Sequence, residues 1–315
     1  MGARKKLPVN LDRGTPEQDA EQPSADRVMR AASHQDQRRS EPDSEQGSPG
    51  SHRESRRAEG RSDRRSTVVT PPLRAASAVP GFLPSTHAFR FTNSFPNQPV
   101  LRIPVPGLGS VPIGDASRGL CGGMIYAVRD MFEIGAPPPA DTTPPAPGTP
   151  LYRYIVRRLF DSFDIPRGVY RYYRLMSGPD ADAVRGPLVR RGVGRTSIVD
   201  EWPRIRLDLD SGQLSPIGII TTRSADPLRL GLNHQVLAYA YVQRGLVVTL
   251  RVYDPNTPRE RADDVTLTFD TGRQAQSDQP VPIEHTISIG GRPVRAFFRS
   301  RYRWADPRPA LAAIR

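Results

Sequence analysis

Residues 117 to 135 read Ser-Arg-Gly-Leu-Cys-Gly-Gly-Met-Ile-Tyr-Ala-Val-Arg-Asp-Met-Phe-Glu-Ile-Gly, and they place the only cysteine, Cys121, where an amphipathic helix should begin. Leu120, Met124, Val128 and Met131 recur at three- and four-residue spacing and are joined by Ile125 and Phe132, a broad apolar stripe of helical period. Gly135 supplies a stop. A thiol in the first turn of such a helix lies at the positive end of the backbone dipole, which favours thiolate over thiol. Gly122 and Gly123 leave the backbone uncovered for close approach of a substrate.

Outward from this stretch the chain divides by composition. Residues 1–78 are rich in Arg, Ser, Glu, Asp, Gln and Pro and carry no sustained apolar period. Such a segment buries too little surface to offset its ordering entropy, so it is expected to be a disordered arm. One globular domain is expected over residues 79–305, followed by a tail, 306–315. The 315 residues carry a formal charge of +12. Arg is nevertheless dispersed among acidic residues and forms no run that would track a phosphate backbone, so nucleic acid is not the expected partner. A single cysteine excludes an intrachain disulfide and suits a reducing compartment. The basic amino terminus is not followed by the apolar stretch of a secretory signal, and no apolar run approaches membrane-spanning length. The expected location is therefore cytoplasmic, with no membrane partner.

Along the domain, the alternation in His87-Ala88-Phe89-Arg90-Phe91-Thr92 predicts a short strand, and residues 94–114, punctuated by Pro and Gly, a loop. A Pro-dense segment ending at Pro150 reads as a surface loop. Leu151, Ile155, Leu159 and Phe163 then mark a second helix. Tyr170, Tyr172, Tyr173, Leu175 and Met176 read as core packing rather than a recognition surface. Ser197 to Asp200 has the spacing of a capping box, with Trp202, Ile205 and Leu209 behind it as a third helix. From Pro216 the period changes to that of strands, at 216–222, 233–242, 246–254, 265–269, 283–289 and 294–299. Helices first and an antiparallel sheet second make an α+β arrangement.

Two residues of the sheet half bear on the cysteine: His234, at the head of one strand, and Asp254, at the tail of the next. If Gln243-Arg244-Gly245 forms a three-residue hairpin loop, Val242 faces Leu246 and His234 faces Asp254 directly, close enough for the carboxylate to hold the imidazole. A two-residue turn pairing Asp254 with Gln235 would instead put the acid on the wrong face. An acid-oriented His facing a thiol at a helix start is the arrangement of an activated sulfur nucleophile, with His234 as base and the Cys121 N–H helping to hold an oxyanion. His285 reads as an ordinary strand histidine. One Cys and five scattered His offer none of the usual ligand spacings, so no metal is expected, and the glycine-rich run lacks the Lys and Ser or Thr of a phosphate-binding loop. No cofactor is expected.

Gly119-Leu120-Cys121-Gly122-Gly123-Met124, followed by Asn233-His234-Gln235-Val236 and Tyr253-Asp254-Pro255, resembles the papain-like cysteine peptidase superfamily, nearest to its bacterial branch of double-glycine leader peptidases. The resemblance implies a helical half with the nucleophile helix, packed against an antiparallel sheet half that carries His and Asp. It makes Cys121 the nucleophile, His234 the base and Asp254 the orienting acid, with Asn256 the alternative orienting residue. The implied activity is a thiol hydrolase acting on a peptide or protein substrate. An acyltransferase or deamidase using the same three residues, and a noncatalytic binding protein retaining the fold, are the alternatives. The family usually places Gln six residues before the cysteine to complete the oxyanion hole. That position is Asp115 here, and an ionised carboxylate cannot donate. Ser117, Asn93 and Asn97 are the candidate donors.

Overall fold

The computed structural model describes residues 74–95, 101–105, 109–113, 119–275 and 278–312. The expected arm up to residue 73 lies outside these.

The organising strand is β7 (His234–Arg244), whose first eight residues are buried. Val, Ala and Tyr fill it without polar alternation, because both faces are covered. One long edge pairs with β8 (Val247–Tyr253). The other edge is shared: β6 (Ser215–Ile220) covers 234–238, and β1 (Arg74–Ala78) covers 240–244. Beyond these lie β9 (Thr266–Asp270), β10 (Ile283–His285) and β11 (Ala296–Arg299), completing a seven-stranded antiparallel sheet in the order β10-β9-β8-β7-β6-β11. The class is α+β, as expected.

Strand β1 corrects the boundary expected at residue 78. Arg-Ala-Ala-Ser-Ala has no apolar signature, and what recruits it is the row of backbone groups that β6 leaves open on β7.

Helix α2 (Cys121–Glu133) lies between this sheet and α3 (Pro150–Ser162). The first eleven residues of α2 are all buried, so the helix is enclosed rather than half-exposed as its stripe suggested. Met124, Ile125 and Val128 have no exposure, and burial of each such side chain contributes about 1.5–3 kcal/mol. Gly123 allows the close crossing: a Cβ there would fall 2.1 Å from the Ile155 carbonyl oxygen. Helix α4 (Arg167–Met176) buries Tyr172, Leu175 and Met176 as expected but leaves Tyr170 exposed and Tyr173 half-buried, which corrects the core reading for those two.

Three further expectations fail for identifiable reasons. No strand forms at 87–92. Helix α1 (Pro84–His87) and irregular chain take its place, and Phe89 and Phe91 stack at 4.8 Å between ring centroids, so the apolar alternation reflects packing of an irregular segment. The loop expected at 94–114 contains a hairpin, β2 (Leu101–Val105) with β3 (Gly109–Ile113). Pro104 and Pro112 are tolerated there because a two-stranded ribbon has free edges. The supposed capping serine is interior: the helical segment starts with α5 (Val193–Thr196), passes through a π turn (Ser197–Glu201) and continues as α6 (Trp202–Asp210). Ser197 donates to the Val193 carbonyl and accepts the Phe297 N–H. A small exposed ribbon, β4 (Ala183–Arg185) with β5 (Leu188–Arg190), precedes that segment. In the expected tail, α7 (Arg308–Ala312) packs on α3 and buries Ala310. No helix among the described residues is long and apolar enough to cross a membrane.

Candidate active site

Cys121 is the first residue of α2 and is 8% exposed. Leu120, which precedes it, has no side chain able to cap the helix, and Asn93 performs that function from a distance. Its Oδ1 accepts the Leu120 N–H at 2.5 Å. Gly119 makes this possible, since its φ is +92° and a Cβ would fall 1.9 Å from Asn93 Nδ2. The Asn93 carboxamide also donates from Nδ2 to Asn256 Oδ1 at 3.0 Å, and the Asn93 backbone N–H donates to the Pro255 carbonyl at 2.9 Å. The helix start is thereby tied to the turn that carries the acid.

His234 opens β7 and is 5% exposed, while Asp254 follows β8 with no exposure. His234 Nε2 lies 2.7 Å from Asp254 Oδ1. The same carboxylate accepts the Asn256 N–H at 3.0 Å, the Thr257 hydroxyl at 2.8 Å and the Ser288 N–H at 2.8 Å. Burial would raise its pKa, but the His234 charge and these donors outweigh burial and hold it below the ordinary carboxylate value. An ionised acid only accepts, so the proton between the pair sits on Nε2, and Nδ1 is the ring nitrogen left for the sulfur. Burial would push the imidazole down. The charges of Cys121 and Asp254, with a hydrogen bond to each, win and raise it to about 10.

The route by which acid and base meet differs from the expected one. The loop has two residues, Gly245 and Leu246, because Arg244 pairs with Val247. Continued without interruption, that register would set Asp254 against Leu237, on the face away from His234. The pairing shifts between Ala238 and Ala240, so Tyr239 is an extra residue, a β-bulge. Beyond it Leu237 pairs with Tyr253, which carries Asp254 to the level of Val236 and back to the face of His234. The two are diagonal neighbours rather than directly opposed.

The structure thus brings Cys121, His234 and Asp254 together. Asn256 supports the acid through its N–H and donates from Nδ2 to the Ser288 carbonyl, but it makes no hydrogen bond with the imidazole. Asn93 is engaged as a helix cap. Asp115, Ser117 and Asn97 lie outside the described residues. His285 contacts the Arg292 carbonyl, away from the triad.

Several participants escaped sequence reasoning. Thr257 and Ser288 complete the shell of the acid, and only Thr257, three residues beyond it, was near enough in sequence to be suspected. Gln235 Nε2 donates to Ser162 Oγ at 2.9 Å, in space that a Cβ on Gly122 would occupy. The Tyr172 hydroxyl is buried without a partner among the described residues, and burial together with negative charge at Cys121 pushes its pKa well up. Among the described residues no three His, Cys, Asp or Glu side chains are grouped as a metal ion requires.

Comparison of the chain with protein-family models, with curated proteins and with solved structures finds no match.

Proposed function

We propose that the chain is a thiol hydrolase of papain-like architecture that cleaves a peptide or related amide bond through Cys121, His234 and Asp254. The observation that carries this reading is the 2.7 Å contact of His234 Nε2 with a buried, fully hydrogen-bonded Asp254, which leaves the ring's other nitrogen to the sulfur at the head of α2. The order Cys, His, Asp along the chain, with the sulfur on a helix and the other two on an antiparallel sheet, supports the family assignment. A free thiol as the working group also agrees with a reducing, cytoplasmic setting.

His234 Nδ1 takes the thiol proton, giving a thiolate beside an imidazolium whose charge Asp254 balances. The sulfur attacks the carbonyl carbon, and the oxyanion forms beside the Cys121 N–H at the positive end of α2. Collapse of the intermediate breaks the C–N bond as His234 returns its proton to the leaving amine. Water, deprotonated by the same imidazole, then attacks the thioester. The acid is released and the thiol regains its proton.

The test is cleavage of casein and a mixed peptide library by the intact chain beside Cys121→Ala, with iodoacetamide labelling across pH beside His234→Ala. The reading requires cleavage lost in Cys121→Ala, and labelling that proceeds well below pH 8 and slows in His234→Ala. Labelling that follows an ordinary thiol curve near 8.5 sinks it. Transfer of the acyl group to an added amine, without net hydrolysis, would reassign the same triad to acyl transfer.

A further inference from the structure

On the far side of α3, a cleft of about 420 Å³ is lined by Arg157 of α3, Asp161, Asp164, and Arg301, Arg303 and Trp304 of the segment that follows β11. That segment is pinned from beneath. Asp130 of α2 accepts the Ala305 N–H and the Tyr302 hydroxyl, and Arg158, paired with Asp130, donates to the Arg303 carbonyl at 2.8 Å. Arg158 is spent on Asp130 and Asp161. Arg157, Arg301 and Arg303 have no carboxylate partner among the described residues and are exposed. Three guanidinium groups without an ion-pair partner among the described residues thus line one cavity together with the Asp161 and Asp164 carboxylates, beside an indole that is 47% exposed.

We propose that this cleft binds a nucleotide, a purine ring carrying phosphate. Guanidinium forks match phosphate oxygens in charge and geometry. An exposed indole presents a flat face on which a base stacks. The Asp164 carboxylate, which makes no side-chain hydrogen bond among the described residues, accepts from ribose hydroxyls. The volume lies within the range of small-ligand sites, roughly 300–1,000 Å³. Anchoring of residues 302–305 to Asp130 and Arg158 fixes the backbone that carries Arg303 and Trp304 before a ligand arrives, which lowers the ordering cost of binding. This site is separate from the triad and does not depend on the hydrolase reading.

Tryptophan fluorescence reports on it directly. The chain has two tryptophans, and Trp202 is buried at 4% exposure, so quenching by an added nucleotide reads Trp304. Adenosine diphosphate added to the full-length chain is expected to quench saturably. Adenosine and pyrophosphate, each bearing half of the ligand, should bind at least about tenfold more weakly. By calorimetry, Arg303→Ala, Arg157→Ala and Trp304→Ala should each weaken binding of the diphosphate about tenfold. All three side chains are exposed, and unchanged thermal melts would establish that each variant is folded. Absence of saturable binding, pyrophosphate binding as tightly as the diphosphate, or folded variants that bind unchanged would each overturn the proposal.

Discussion

Asp254 reaches His234 along a diagonal, its carboxylate 2.7 Å from the ring although the two residues do not oppose one another on their strands. The bulge at Tyr239 makes the difference. A one-residue change of register exchanges the two faces of a strand, and the bulge supplies that exchange midway along β7.

Asp254→Asn tests the acid. The carboxylate accepts four hydrogen bonds and has no exposure of its own, and an amide in its place sets N–H against N–H. The expected cost is about 2–4 kcal/mol, read as a lower urea midpoint. The acid limb of stability should change as well. Because the folded pKa lies below 3.8, the stabilisation from Asp254 is fully present above that value and is lost as pH falls through the lower folded value. Stability measured from pH 5 downward should therefore decline less steeply in the variant, and an identical decline would show that Asp254 is not held low.

The imidazole should titrate late. NMR of the His234 ring is expected to give a midpoint near 10, displaced to lower pH in Cys121→Ala, since the charge on sulfur is the largest of the effects that raise it. A midpoint at the ordinary 6.5, unmoved by loss of the sulfur, would mean that ring and thiol do not interact.

Asn93 and Gly119 form a single device. Asn93→Ala removes the acceptor of the Leu120 N–H and the donor to Asn256, for an expected loss of about 1–2 kcal/mol in thermal or urea unfolding. Gly119→Ala forces a Cβ into Asn93 at positive φ, for a loss of about 1–3 kcal/mol. Because both act on the same contact, the double variant should cost less than the sum. Full additivity would separate the two residues.

The ion pair of Asp130 with Arg158, at 2.6 Å and almost wholly unexposed, ties α2 to α3. Arg158→Met strands a buried carboxylate and should cost about 3–5 kcal/mol, whereas Asp130→Leu combined with Arg158→Met should recover a large part of that loss. Urea unfolding of the two variants separates these outcomes, and equal losses in the single and double variants would contradict the assignment.

Where helices or strands carry their own apolar period, the chain announces them. The spacing of Leu120, Met124, Val128 and Met131, and of Leu151, Ile155 and Leu159, predicts α2 and α3, and the Val-, Leu- and Tyr-rich runs predict β7 and β8. Where a segment is ordered by what it touches, the chain is silent. Strand β1 is held by an open edge, Phe89 and Phe91 by each other, and Ser197 by a strand a hundred residues away. Nothing in the sequence sets Asp130 and Arg158 apart from solvated charges, because only their meeting in the interior distinguishes them.

Sequence alone determined the α+β class, the place of the lone sulfur at the start of a helix, and the candidate set Cys121, His234 and Asp254. The first two follow from residue type and local spacing, and the third from residue types at the ends of two strands and the family resemblance. Tertiary structure alone decided whether acid and base share a face, because a bulge of one residue at Tyr239 inverts the answer and has no signature in the residues around it. It also decided what steadies the helix start, since Asn93 lies 27 residues before Leu120 and meets it only after the chain has packed.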